Sequence, residues 1–297
     1  MSDLRTERAV DRAVLQRVVA RQAAAAQAPW LHGEVAQRMA ERLALVRRRP
    51  AVVIDWWSHA GASHPLLRRA YPQARLLRVE PAGGPAPGAA PWWSPRRWRD
   101  SPGVAASAVP ERQAQLLWAN MMVHSVADPG ALFAAWHGAL AVDGFLMFST
   151  LGPDTLKGLR EIYRDAGWGA AHAPFIDMHD LGDMLVQGGF ADPVMDQELL
   201  RLTWATPAAL RDELRTLGGN ADLTRHGGLR TPRWRARLDA ALAERAGADG
   251  RIGLEFEIVY GHAFVPPPRV AVAAQTRLSA EQLRDMARAG RRSEPLG

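Results

Sequence analysis

Cysteine is absent from the 297 residues. That excludes disulfides, thiolate metal ligands and cysteine nucleophiles, and it accords with a reducing compartment. Lysine is nearly absent too: of 37 basic residues only Lys157 is lysine, and the rest are arginine. Long hydrophobic runs are missing. A membrane-spanning helix needs about 20 apolar residues in succession, and no stretch comes near that, so no membrane segment is expected. The first residues carry Asp3, Arg5, Glu7 and Arg8 with no apolar core behind them. The expected location is therefore cytoplasmic. Helix-turn-helix, zinc-finger and RNA-binding signatures are lacking as well, so no nucleic-acid partner is expected. The net charge of +6 is explained by a GC-rich coding bias towards arginine, with attraction of an acidic protein as the alternative. What is present suffices for a core: 47% of residues are hydrophobic and 23% charged, ordinary values for a globular chain.

The hydrophobic pattern alternates between two periods. Helical spacing over residues 4–26 and again over about Glu34–Val46 predicts two N-terminal helices, so residues 1–48 read as a leading helical segment. Ala51-Val-Val-Ile-Asp55 then reads as a buried strand, Ser63–Tyr71 as a helix with Pro65 in its first turn, and Ala74–Glu80 as a second strand. Residues 81–110 are rich in proline and glycine and predict a loop. Beyond it, Leu116–Asn120 and Gly144–Ser149 predict strands around a helix at Pro129–Leu140, which Asp128 is placed to cap. Helices follow at Asp154–Ala166, His179–Gln187, Pro207–Leu217 and Pro232–Ala246, with a strand at Pro193–Leu202. Ile252–Phe264 alternates like an antiparallel strand with one face in water, and the tail 266–297 is expected to be partly disordered around a short helix at Leu278–Ala289. Strands alternating with helices predict a doubly wound α/β sheet whose last strand returns after a helical insertion.

In such a sheet, ligands bind beyond the carboxyl ends of the strands. A nucleotide-type ligand calls for glycines after the first strand and an acid at the end of the second, to hold a ribose diol. Asp55 ends the first strand and Glu80 the second, 25 positions apart. A loop of the form acid-x-Gly-x-Gly-x-Gly would put glycines at 57, 59 and 61, where this chain has Trp57, His59 and Gly61. Taken alone, the motif leaves a generic α/β domain as open as a ligand site, because bulky side chains at 57 and 59 would fill ligand space and resist left-handed backbone angles.

Downstream segments carry a family resemblance. Leu116-Leu-Trp-Ala-Asn120 with the following Met-Met-Val-His-Ser, and Asp143-Gly-Phe-Leu-Met-Phe-Ser149, resemble the fourth and fifth strands of class I methyltransferases. Gly152-Pro-Asp-Thr-Leu156 is more particular, and Phe175–Leu185, Gly189–Val194, Leu214–Asn220 and Glu257–Ala263 agree with it. Over roughly residues 15–265 the chain resembles the biotin-synthesis malonyl-acyl-carrier-protein O-methyltransferase family. The resemblance implies a Rossmann-like, seven-stranded, mostly parallel sheet over residues 49–265, with helical lid insertions at about 154–188 and 207–248. It implies S-adenosylmethionine as cofactor, bound around Asp55, Trp57, His59, Gly61, Glu80 and Asn120. The implied partner is malonyl-loaded acyl carrier protein, and the implied activity is methylation of its free carboxylate. By the Arg-x-Leu-x-Gly match, Arg215 holds that carboxylate.

This chemistry needs no catalytic acid or base. A carboxylate is already ionised near neutral pH, so positioning and exclusion of water suffice. The chain departs from the family pattern at Ala24–Ala26, where an aromatic is usual, at Gln115, where strand four often opens on an acid, and in the acid-poor loop, which holds only Asp100 and Glu111. A second reading therefore stands beside the enzyme: a non-catalytic relative whose pocket is filled by Trp57 and His59, serving as a binding or regulatory module. The histidines at 59, 64, 124, 172 and 179 show no paired spacing with a third ligand, so no metal is expected. Trp56, Trp57, Trp92, Trp93 and Trp98 are read either as packing over a collapsed pocket or as stacking on a ligand.

Overall fold

A run of apolar strands with helices between them can bury both faces of a parallel sheet, and the computed structural model, which describes residues 7–43, 46–81 and 104–268, has that arrangement. Two helices lead, α1 (Arg12–Ala24) and α2 (Trp30–Leu43). Then come β1 (Val52–Trp56), α3 (Ser58–Gly61), α4 (His64–Ala70), β2 (Arg75–Glu80), β3 (Val104–Ala105) and β4 (Ala114–Ala119). They are followed by α5 (Pro129–Ala139), β5 (Leu140–Leu151), α6 (Lys157–Asp165), α7 (Met178–Gln187) and β6 (Ala191–Trp204), and finally by α8 (Pro207–Leu217), α9 (Pro232–Ala243) and β7 (Ile252–Phe264). The seven strands form one sheet in the order β3-β2-β1-β4-β5-β7-β6, parallel except for β7, which runs antiparallel to both neighbours. This is the expected doubly wound α/β architecture. The order reverses between β1 and β4, and a ligand crevice belongs at that point.

Successive strand residues point to opposite faces. Val53, Leu116 and Phe145 therefore pack with Leu31, Val35 and Met39 of α2, while Ile54, Leu117 and Leu146 pack with Phe133 and Trp136 of α5 and Leu181 and Leu185 of α7. Asp11 caps α1 by accepting from Val14 N at 3.1 Å, and Asp128 caps α5 as predicted, accepting from Ala131 N at 2.9 Å. Residues Met1–Pro266 constitute one compact unit, with the leading helices inside it.

Several elements differ from expectation. Ile252–Phe264 is covered on both faces and almost wholly buried, because it is inserted between β5 and β6 instead of lying at an edge. The edge strand is β6, whose residues alternate between half-buried and exposed and whose Pro193 falls at a register shift, where a missing N–H is tolerated. The first helix begins at Arg12, not near residue 4, and the second opens earlier, at Trp30. The helix expected from Asp154 starts at Lys157. The short helix α3 was not anticipated, and the end of the proline-rich segment forms β3 and a 3-10 turn at Ala106–Ala108. The expected tail helix, Trp92, Trp93, Trp98 and Asp100 lie outside the described residues. No helix among the described residues is long and apolar enough to cross a membrane.

Candidate functional site

The loop from Asp55 to Gly61 leaves β1 at the switch point. Asp55 is fully buried; Ser58 Oγ donates to its Oδ2 at 2.5 Å, while Oδ1 has no donor. Burial pushes its carboxyl up to about 7, against the opposing pull of the Ser58 hydrogen bond. Trp57 adopts φ +55°, ψ +49°, the left-handed conformation a glycine would take without strain. Its N–H donates to Val79 O at 2.6 Å, and its ring packs, half-buried, on the apolar cluster around Trp56 and Leu77. His59 donates its backbone N–H to Glu80 Oε1 at 3.1 Å, and its Nε2 lies 2.8 Å from Ala25 O. Arg78 Nη2 is 3.4 Å from the same Glu80 oxygen. Gly61 is kept by crowding: a Cβ there would lie 2.9 Å from Ser63 Oγ and 3.4 Å from Asn120 O.

Asn120, one residue past β4, is buried and heavily bonded. Its amide donates to His32 O at 2.8 Å and Gly61 O at 2.7 Å, and its Oδ1 accepts from Ser149 Oγ at 2.6 Å. It thereby ties α2, the loop and β5 together. His32 Nδ1 sits 2.7 Å from Ala60 O, and burial pulls that imidazole down to about 4, so it is neutral at physiological pH. The structure thus gathers Asp55, Trp57, His59, Gly61, Glu80 and Asn120 around one loop, largely bonded to one another.

Arg215 stands elsewhere. It lies exposed on α8, with Nη1 2.6 Å from Asp212 Oδ1, and borders a cavity of about 500 Å³. The wall of that cavity is drawn from α1, α6, α8, α9 and the segment after β4, and includes Leu15, Leu159, Leu210, Leu238, Tyr163 and Trp234. None of the six loop-side candidates contributes to it. Arg8 and His124 do. Arg8 donates to the carbonyls of His124, Val126 and Pro174, while His124 is buried with Nε2 unpartnered and its imidazole pulled well down by burial. Sequence reasoning missed Arg8, because an arginine in an arginine-rich N-terminus carries no local signal of burial.

The Gly152-Pro-Asp-Thr segment closes on β7. Glu257 Oε2 accepts from Asp154 N at 2.6 Å, and Glu257 O accepts from Gly152 N at 2.9 Å and from Thr155 Oγ1 at 3.1 Å. A Cβ on Gly152 would fall 2.5 Å from the Glu257 carboxyl carbon, so only glycine fits. Two segments that carry the resemblance thus form one clasp at the cavity's edge. Its role for Glu257 was not foreseen, since the partners are a hundred residues apart in sequence. Among the described residues no cluster of three or more His, Asp or Glu side chains could hold a metal.

No family model matches the chain. Among curated proteins, the malonyl-[acyl-carrier protein] O-methyltransferase of Laribacter hongkongensis is 38% identical over 251 residues, covering 80% of this chain and 84% of its own length. The protein of that name from Gallionella capsiferriformans is 36% identical over 249 residues, covering 81% and 86%. The one from Halorhodospira halophila is 35% identical over 264 residues, covering 86% and 88%.

Proposed function

The chain belongs to the malonyl-[acyl-carrier protein] O-methyltransferase family, and from that premise we propose that it methylates the free carboxylate of a malonyl thioester on acyl carrier protein, in biotin synthesis, with S-adenosylmethionine as donor. The observation that carries the reading is the pair Asp55 and Glu80 at the ends of adjacent parallel strands, at the point where strand order reverses.

The residues present fit the cofactor. Asp55 Oδ1 is a buried acceptor with no donor, and the backbone at Trp57 keeps the left-handed turn that a glycine loop would supply. Asp55, Glu80 and the backbone between Trp57 and Gly61 would hold it, with Asn120 fixing the loop from behind and His59 bracing it through Ala25. The chemistry supplied by bound S-adenosylmethionine is a methyl group activated by positive sulfur. The protein's own work is positional. The substrate carboxylate is ionised without help, so no side chain need move a proton. Arg215 at the cavity edge offers the fork that matches two carboxylate oxygens once it leaves Asp212. The apolar wall excludes water that would solvate the carboxylate. Segments at about 154–188 and 207–248 serve as the lid, through the parts that border the cavity. The acidic carrier is drawn by the chain's excess of arginine.

One observation favours a second reading, a non-catalytic binding module: Glu80, the ribose acid, already accepts the N–H of His59. Calorimetric titration with S-adenosylhomocysteine separates the two. Binding, together with methyl transfer to malonyl-loaded carrier, supports the enzyme. The absence of heat at millimolar ligand overturns it. In the enzyme, Arg215→Ala raises KM for malonyl carrier protein at least about tenfold, by loss of a charge-assisted pair, and leaves S-adenosylhomocysteine affinity alone.

A further inference from the structure

The 500 Å³ cavity is ill matched to a malonyl group. Malonyl has one methylene between two polar ends, whereas the wall carries Leu15, Leu159, Leu210, Leu214, Leu238 and Phe256. A short polar acyl group leaves that surface unused, while an aliphatic chain gains about fourfold in affinity for each methylene it buries there.

The wall also contains one cation of unusual standing. Arg8 is largely buried where the chain leaves β4; its Nη1 donates to His124 O and to Val126 O at 3.3 Å, and its Nη2 to Pro174 O at 2.8 Å. Carbonyl dipoles orient a guanidinium but leave its charge intact, and no carboxylate pairs with it among the described residues. A buried cation without a counter-ion is costly unless a ligand brings one. Burial pulls its pKa down to about 10, so it remains protonated at neutral pH. The arginines at the opposite edge, Arg215 and Arg235, are exposed. The cavity therefore has a charged inner end near the carboxyl edge of the sheet, apolar walls, and an outer edge suited to a carrier that stays in solvent.

We propose that this cavity binds a carboxyl-terminated acyl chain several methylenes longer than malonyl, with its methylenes against the leucines and its carboxylate on Arg8. A malonyl carboxylate would stop at Arg215, and the longer chain reaches the end of the sheet where the reactive centre belongs. This rests on the reading of the protein as acting on carboxyl-bearing acyl thioesters.

The test is calorimetry on the full chain without cofactor, using half-esters as thioester mimics. Monoethyl suberate is expected to bind at least tenfold tighter than monoethyl malonate, and at least tenfold tighter than diethyl suberate, which lacks the carboxylate. Arg8→Gln should lower affinity for monoethyl suberate at least tenfold and leave diethyl suberate unchanged. Equal or tighter binding of monoethyl malonate overturns the proposal, as does an Arg8→Gln variant that still prefers the half-ester. Octanoate binding as tightly as monoethyl suberate assigns the cavity to free fatty acids instead and also overturns it. Should Arg8→Gln fail to fold, Leu214→Phe narrows the cavity from a half-buried position, and undiminished binding of monoethyl suberate to it sinks the idea. S-adenosylhomocysteine titration judges the methyltransferase reading separately, so failure of either leaves the other standing.

Discussion

Trp57 sits where glycine was expected and accepts the backbone angle that glycine would have taken. A left-handed residue with a Cβ is strained by about 1–2 kcal/mol, and contact of the ring with the cluster around Trp56 and Leu77 offsets part of that. The double variant Trp57→Gly, His59→Gly relieves the strain and removes both side chains from the loop, so S-adenosylhomocysteine should bind it more tightly; unchanged affinity by calorimetry would refute the steric argument. Asp55 yields a pH prediction. Folded, it holds its proton up to about pH 7, whereas unfolded it releases it near 3.8. Between those values the folded chain carries the extra proton, so this group's contribution to stability is present below about pH 4 and is lost as pH rises to about 7. The loss is on the order of 4 kcal/mol at 1.36 kcal/mol per pKa unit. Asp55→Asn should raise the melting temperature at pH 8 and change it little at pH 4; equal shifts at both would refute the burial argument.

At the level of elements, the strands β1, β2, β4 and β5 were legible because each is a short apolar run beside a turn or a proline, and their burial follows from that run alone. What was not legible depends on partners distant in sequence. The alternation in Ile252–Phe264 suggested a solvent face, but insertion between two strands covers both faces, and no local pattern reports a neighbour. The helix expected from Asp154 starts three residues late because Glu257 holds Asp154 N and Thr155, and Leu156 turns left-handed at φ +56°. Of the candidate site, Asp55, Gly61 and Glu80 could be read from spacing, whereas the burial of Arg8 could not. The Glu257 clasp makes its own prediction. Gly152→Ala forces a methyl against a carboxylate fixed by two elements and should cost about 1–3 kcal/mol, as overpacking does. Gly33→Ala, in the interior of α2 with open space around it, should gain about 0.5–1 kcal/mol from helix propensity. Urea denaturation of the two variants decides both signs.

For the described chain as a whole, the leading segment is bound to residues some two hundred positions away. Gln22 donates to Thr216 O and Leu217 O, each at 3.1 Å, and Arg225 pairs with Asp11 at 2.7 Å. Leu15 and Val18 also belong to the cavity wall. Removing residues 1–26 exposes these buried side chains and their partners, each worth about 1.5–3 kcal/mol. The melting temperature should then fall by at least about 5 °C, and a truncated chain that melts like the intact one would show that this segment contributes little.

The placement of β7 bears on how the chain is made. Among the described residues β6 has one hydrogen-bonded neighbour, and that neighbour is the last strand to be synthesised. While a ribosome is still adding residues before Ile252, β6 has no strand to pair with, and the edge of β5 stands open beside it. Closure of the sheet is therefore a late, long-range event that follows translation of the whole insertion, and it makes this chain a candidate for slow folding and chaperone dependence. Pulse-labelling hydrogen exchange should find amides of β1 and β4 protected well before those of β6.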